Sequence, residues 1–448
     1  MQTAAAPADR RRPPVFRLIV TALRAIQSVV RTMEIDLRLT GMIVALICIW
    51  LGFGFASNGL FLSPRNFYDV SVQSVPVAIM ATGMVLIIVS RNIDLSVGSI
   101  MGLTGYVMAM TQAVWIPAEQ GGLGLGYGHW YIWIVALLVG MAIGALIGAF
   151  QGGLVAYVGI PSFIVTLGGL LIWRGLIFKI QQGQTIAPMD KTFSIMGGGL
   201  PQGSMGDTLS WILGLLLCAG IVYILITSRR KRQAYGFPVR PRWAIAILMV
   251  GGCATVLAAV AVLNSYPLPA LLASKFAREH GITEPAGGLI IPVGIAVPVA
   301  LLLVVTLAIA YLTTRRQFGR YVFAIGGNPE AAELAGINTR RTIMGTFVLM
   351  GILCAVAGAI QTARLDSGVT SMGYQYELLV IAAAVLGGTS FSGGIGTIPG
   401  AVLGAVVMQS LKSGMVTIGV DSPMQDVLIG TVLVSAVGID TVLRRRVK

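Results

Sequence analysis

The chain has 448 residues, of which 56% are hydrophobic and only 11% are charged. A soluble domain carries about 25% charged residues, so this composition excludes a soluble globular protein. The formal net charge is +14, and the placement of the basic residues between hydrophobic runs makes nucleic-acid binding an unnecessary explanation for it.

The N-terminal segment, residues 1–39, is basic and precedes the first long hydrophobic run. Arg17, Arg24, Arg31 and Arg38 recur every seven residues, with apolar residues between them. This periodicity favours a basic amphipathic helix on the inner leaflet, where arginines meet anionic headgroups. A flexible tail that merely carries positive charge is the alternative.

Twelve hydrophobic runs follow between residues 40 and 442, and most reach the roughly 20 residues that cross a bilayer as a helix. Lipid offers no partners for backbone polar groups, and the runs lack the alternation of barrel strands. The sequence therefore predicts an all-α polytopic membrane protein with about 10–12 transmembrane helices, since the short tenth run could be tilted, re-entrant or broken. The predicted spans are 40–61, 67–90, 95–115, 131–157, 160–181, 209–228, 243–264, 290–313, 342–362, 376–391, 396–415 and 423–442.

Basic residues concentrate on one side of the predicted membrane. If both termini are cytoplasmic and the spans alternate, the inner segments hold 23 of the 31 basic residues. This positive-inside bias predicts a cytoplasmic location for both termini, including the basic tail 443–448. The outer segments hold only Arg65, Lys191, Lys275, Arg278 and Arg364.

A polar insertion, residues 326–338, separates two of the last hydrophobic runs. Asn328 is a good N-cap residue, Pro329 suits the first helical position, and Gly336 fits the residue just past the last turn. The predicted helix ends at Ala335 and is about 10 Å long, so it is marginal in water unless it packs against something. It could insert into a groove of a partner, and an ordinary ordered loop is the alternative.

Asp94 is the clearest carboxylate within the predicted membrane region. An ionisable group there suggests function by default. The structural alternative, which we favour, is that Asp94 caps the following helix, with Arg91 nearby at the interface. The glycines and serines around it would also suit a broken helix beside a transport path. Arg174, in the fifth span, could bind a solute or extend toward the surface.

Four segments carry distinctive motifs, namely 92–99 (NIDLSVGS), 159–168 (GIPSFIVTLG), 326–338 (GGNPEAAELAGIN) and 387–394 (GGTSFSGG). Together they resemble the motifs of one family, and they occur in that family's order. The sequence resembles the bacterial ABC sugar importer permeases of the ribose, xylose and galactose type, within the branched-chain permease superfamily, over roughly residues 67–442. An insertion around 229–290 makes the plan most similar to xylose permeases.

The resemblance implies the membrane-spanning permease subunit of an ATP-driven sugar importer, for a pentose such as xylose. Such a subunit crosses the bacterial inner membrane many times, forms a homodimer, and works with a separate ATPase and a periplasmic sugar-binding protein. Residues 326–338, here named the coupling segment, would be the cytoplasmic coupling helix. The chain has no Gly-Lys pair and hence no P-loop. We therefore expect ATP and Mg²⁺ on the ATPase, and no cofactor, metal or catalytic residue on this chain.

The resemblance and the residue chemistry together give two sets of candidate site residues. The set expected to couple to the ATPase is Gly326, Gly327, Asn328, Glu330, Ala331, Ala332, Gly336 and Ile337. The set expected along the substrate path is Asn92, Asp94, Ser96, Thr166, Arg174, Ser390 and Ser392.

Two other functions compete with sugar import. A permease of the same superfamily could carry an amino acid or a nucleoside. A secondary transporter without an ATPase is disfavoured, because ion-coupled carriers usually need several membrane carboxylates. Asp94 is the clearest candidate here, and Glu377 and Asp426 are the only others. A membrane enzyme is weaker still, since the two histidines, His129 and His280, both lie in outer segments without a paired catalytic residue.

Overall fold

The computed structural model is helical, and it describes most of the chain. The predicted N-terminal amphipathic helix lies outside the described residues, as do the last three residues of the basic tail. The described residues are 37–117, 122–126, 128–180, 182–279, 281 and 289–445.

Each of the twelve predicted spans coincides with a helix, which confirms the all-α polytopic fold. The helices that begin at Val97 and Ile132 each continue into a single π-helical turn, Thr111–Trp115 and Leu154–Val158 respectively. Within the described residues, extended backbone pairs only as isolated bridges. The helices are α1 Leu37–Ala56, α2 Pro64–Val89, α3 Val97–Met110, α4 Ile132–Gly153, α5 Ser162–Ile180, α6 Gly206–Ala234, α7 Arg242–Asn264, α8 Ala270–Glu279, α9 Val297–Arg315, α10 Gln317–Gly327, α11 Pro329–Leu334, α12 Thr339–Leu365, α13 Tyr376–Leu386, α14 Ile398–Thr417 and α15 Ser422–Arg445.

Nine of the helices in the described part of the chain are long and apolar enough to cross a membrane, namely α1 to α7, α9 and α12. Helices α14 and α15 have 20 and 24 residues. Helix α13 is apolar but has only 11 residues, so it cannot cross a bilayer alone. This agrees with the short tenth run in the sequence.

The helices differ widely in how much of their apolar surface is buried. The apolar windows of α2 and α3 are 94% and 89% buried, whereas those of α6 and α7 are 17% and 11% buried. Glycines bring α4 close to α12: a Cβ atom at Gly144 would meet the backbone of Gly351, and one at Gly148 would meet the backbone of Phe347. Close backbone approach at small residues is a main source of helix association in lipid.

The chain divides into two compact units. The larger unit, residues 41–211 and 260–448, contains most of the helices, among them α2 to α5 and α9 to α15. The described part of the smaller unit is residues 37–40 and 212–259, which hold most of α6 and α7. These two helices form a hairpin in which the Cys218 sulfur lies 3.8 Å from the carbonyl oxygen of Cys253.

Candidate functional site

The chain between α2 and α3, residues 90–96, is irregular and carries three of the predicted path residues. Asp94 is buried, and its carboxylate accepts hydrogen bonds from the backbone N–H of Ser96 at 2.8 Å and from the Ser96 hydroxyl at 2.6 Å. Ser96 itself occupies the N-cap position of α3. Asp94 therefore forms an Asx turn that leads into the helix instead of capping it directly. Asn92 donates its side-chain amide to the carbonyl of Ser90 at 3.0 Å.

The residues that flank this irregular segment contact α13 and the loop that follows it. At its far end, Gly98 packs so closely on the first turn of α13 that a Cβ atom there would collide with Glu377. At its near end, the N–H of Gly394, beyond the end of α13, donates to the carbonyl of Val89 at 3.0 Å. The 11 residues of α13 measure about 16 Å. Irregular backbone at membrane depth is tolerated where it is buried in protein or lines a cavity, as in the broken helices of transporters.

The start of α5 and the C-terminal part of α4 hold the irregular segment in place. The N–H of Ile93 donates to the Ser162 hydroxyl at 3.2 Å, and the Thr166 hydroxyl lies 3.3 Å from the Ile93 carbonyl oxygen. The Ser96 hydroxyl lies 3.1 Å from the side-chain oxygen of Gln151 in α4. Thr166 and Ser96 are both fully buried, so two predicted path residues from different helices share one polar cluster.

Arg91 connects the irregular segment to the coupling segment. Its Nε donates to the carbonyl of Gly326 at 2.8 Å, and its Nη2 donates to the carbonyl of Gly327 at 2.9 Å. These are the last two residues of α10, where carbonyls lack helical partners and the helix dipole favours a cation. Hydrogen bonds from a charged donor are stronger than neutral ones. Arg91 also has a left-handed backbone, with φ of 63°, which is uncommon outside glycine.

The glycine-rich loop 387–394 completes this contact. Gly326 lies between two backbones, because a Cβ atom there would collide with the carbonyl oxygen of Val89 and lie 2.5 Å from the nitrogen of Gly394. The neighbouring Gly327 has open space around its Cα atom. A glycine is therefore required at the first position of the coupling segment for steric reasons that do not apply to the second.

All four segments that carry the family resemblance meet around the irregular segment. Arg91 precedes the first of them and was not among the predicted site residues. The only sequence signal for it was a single arginine at the inner end of a span. The four segments are joined by the hydrogen bonds of Arg91, Ile93, Thr166 and Gly394.

The coupling segment contains the short helix that the sequence predicts. Asn328 is the N-cap residue, and its side-chain oxygen accepts the N–H of Ala331 at 3.1 Å. The helix, α11, ends at Leu334, one residue before the predicted end, and Gly336 follows with a φ of 81°. The predicted caps are thus confirmed. Leu334 is 90% exposed although it is a large apolar residue, whereas Ala332 is 4% exposed.

The other predicted path residues lie apart from the buried polar cluster. Ser390 and Ser392 share a hydrogen bond of 2.7 Å in the glycine-rich loop beside the coupling segment. The guanidinium of Arg174 lies 5.2 Å from the ring centroid of Tyr374, a cation–π distance. The predicted set therefore divides among three places in the structure.

Comparison with known proteins identifies the class of this chain. The family described as branched-chain amino acid transport system, permease component, matches residues 66–230 and 237–437. The xylose transport system permease protein XylH of Escherichia coli strain K12 is 36% identical over 92% of this chain and 94% of its own length. The ribose import permease protein RbsC of the same strain is 29% identical over 85% of this chain and 87% of its own length. The galactose/methyl galactoside import permease protein MglC of Haemophilus influenzae is 26% identical over 91% and 95%.

No solved structure matches this chain. The family match covers most of the sequence, and the relatives align over nearly their whole length. The matched ranges include all four segments that meet around residues 90–96. The chain therefore belongs to the family of permease components of branched-chain amino acid transport systems.

Proposed function

We propose that this chain forms the translocation path of an ATP-driven importer of a pentose, and that this pentose is xylose. The similarity to a xylose permease along 92% of the chain supports the substrate class. The observation that carries the coupled mechanism is the pair of hydrogen bonds from Arg91 to the end of α10. It links the segment proposed to meet the ATPase with the irregular segment proposed to lie beside the path.

The energy source in this proposal is a separate ATPase that holds ATP and Mg²⁺. The permease forms a homodimer, its termini and coupling segment face the cytoplasm, and a sugar-binding protein delivers the solute from the other side. The family membership and the excess of basic residues on one side support this arrangement. The chain itself acts in transport and performs no catalysis.

The docking surface for the ATPase consists of exposed residues on α11 and the residues after it. Leu334 is its centre, because an isolated apolar side chain that is 90% exposed on a six-residue helix gains stability when a partner covers it. Gly326 and Ala332 are buried, so we assign them to the contact between the coupling segment and the rest of the protein. The exposed members of the predicted set are Gly327, Asn328, Glu330, Ala331 and Gly336, and Ile337 is half-buried.

Closure of the ATPase moves the coupling segment, and Arg91 passes this movement to residues 90–96. Those residues contact both α4 and α5 through Ser96 and Ile93, so the movement reaches the polar cluster proposed to lie beside the path. Coupling requires that ATP bind the two states of the complex with different affinity. The contacts of Arg91 supply a physical connection between the two sites.

The experiment is uptake by the reconstituted complex of permease, ATPase and binding protein. Vesicles receive labelled xylose, ribose, galactose or leucine on the side of the binding protein, with ATP on the opposite side. ATP-dependent uptake of xylose in preference to the other solutes is expected. Uptake of leucine in preference to all three sugars would instead favour the amino-acid alternative, which the family description keeps open.

A further inference from the structure

The hairpin of α6 and α7 exposes apolar side chains over most of its length. Leu215, Leu216 and Ile224 on α6 are between 59% and 64% exposed, and Ile247 and Val250 on α7 are 53% and 69% exposed. Exposed apolar surface on a membrane helix is the surface that faces lipid. The exposed apolar surface of the hairpin is therefore suited to contact with acyl chains.

An open groove of about 520 Å³ lies at the basic end of this hairpin. On α6, the lining residues recur at helical spacing and place one face of the helix in the groove. The same holds for the lining residues on α7. The groove is lined by Ile226, Arg229, Arg230, Gln233, Arg242, Ile245 and Met249.

Charged residues lie at one end of the groove and apolar residues at the other, as the headgroup and the acyl chains do in a lipid. Arg229 and Arg230 lie in the last two turns of α6, and Arg242 is the first residue of α7, so all three are near the connection between the two helices. Ile226 precedes the α6 arginines by about one turn, and Met249 follows Arg242 by about two turns, so both lie deeper along the hairpin. An anionic headgroup at the arginines would place its acyl chains along the apolar residues.

The positive charge of the groove has no carboxylate near it in sequence. No Asp or Glu occurs between Asp207 and Glu279, whereas the connection between α6 and α7 is rich in arginine. Tyr235, Phe237 and Trp243 in this region are 76%, 64% and 47% exposed. Exposed aromatic residues of this kind mark the level of the lipid headgroups.

We propose that this groove binds the phosphate of an anionic phospholipid. Arginine suits the site because its planar guanidinium binds phosphate oxygens through two parallel hydrogen bonds. A soluble phosphate would use the three arginines but would leave the apolar half of the groove without a ligand. The charge and the apolar floor together select a lipid.

The test uses the purified full-length protein in detergent, with bound lipids resolved by native mass spectrometry. Phosphatidylglycerol is the probe, and phosphatidylcholine is the zwitterionic comparison. Arg230→Gln is expected to weaken phosphatidylglycerol binding about five-fold, and adding Arg242→Gln is expected to weaken it about five-fold further. Lys231→Gln is the matched control, because it removes the same charge from the adjacent residue, which does not line the groove. Its effect is expected to stay below about two-fold.

Three results would overturn the proposal. They are equal binding of the two lipids, equal effects of Arg230→Gln and Lys231→Gln, and displacement of phosphatidylglycerol by excess inorganic phosphate. The last result would assign the groove to a soluble phosphate compound. If the double variant proves unstable, Arg242→Lys keeps the charge and removes the planar fork, and it is expected to weaken phosphatidylglycerol binding about two-fold. Unchanged binding in that variant would also contradict the proposal.

Discussion

The contact between Arg91 and the end of α10 can be removed without changing the backbone around it. We choose Arg91→Asn, because asparagine tolerates the left-handed conformation, φ 63°, that this position requires. The substitution removes two hydrogen bonds from a charged donor, at 2.8 and 2.9 Å. A partly buried bond of this kind contributes about 1.5 kcal/mol, and the exposed second bond contributes less. The loss is therefore about 2 kcal/mol, or about a thirty-fold shift toward a detached coupling segment.

Hydrogen exchange in the coupling segment measures this shift without any partner protein. A six-residue helix is marginal once it is detached, so its amides open together with the contact. Amides such as those of Ala332 and Ile337 are expected to exchange up to about thirty-fold faster in Arg91→Asn than in the unmodified protein. Arg340→Gln is the control, since it removes an exposed charge near the coupling segment and leaves these contacts in place. Equal exchange in the two variants would refute the role assigned to Arg91.

Three further predictions concern neighbouring positions. Gly326→Ala is expected to accelerate hydrogen exchange in the coupling segment, because its Cβ atom would collide with the carbonyl of Val89. Gly327→Ala is the control, since the space around that Cα atom is open and exchange is expected to stay unchanged. Equal effects of the two variants would contradict the steric argument. Leu334→Ser is expected to lower the affinity for the ATPase about thirty-fold, since burial of a leucine contributes about 2 kcal/mol. The amount of ATPase that co-purifies with the permease measures this loss. Leu271→Ser, at a position that is 87% exposed on α8, is the control, and an equal loss there would contradict the docking role. Asp94→Ala is expected to lower the free energy of unfolding by about 1–3 kcal/mol, because it removes the acceptor for Ser96. Asp94→Asn keeps an acceptor and is expected to lower it by less. A stable Asp94→Asn protein without uptake would show that the charge itself acts in transport.

Local signals explain what could be predicted from the sequence. The spans follow from the lengths of hydrophobic runs, and the coupling helix follows from its caps, since Asn328 and Gly336 act on neighbouring backbone groups. Both kinds of signal operate within a few residues. They can therefore be interpreted without knowledge of the tertiary structure. Even the short tenth hydrophobic run agrees with the length of α13.

The meeting of distant segments could not be predicted in this way. Arg91 and Gly326 are 235 residues apart, and no local pattern indicates their contact. The exposure of Leu334 could not be predicted from the sequence either, because a leucine in an alanine-rich helix looks like a core residue. Ser390 and Ser392 lie in the loop beside the coupling segment, and residue type alone could not indicate that position; their role along the path stays a prediction.

The central claim is that hydrolysis of ATP on another protein drives solute through this chain by way of residues 326–338. The most direct measurement is uptake of labelled xylose into vesicles that contain the permease and binding protein, with and without the ATPase. Uptake that requires both the ATPase and ATP, and that falls in Leu334→Ser, is the expected result. Full-rate uptake in vesicles that lack the ATPase would contradict the account.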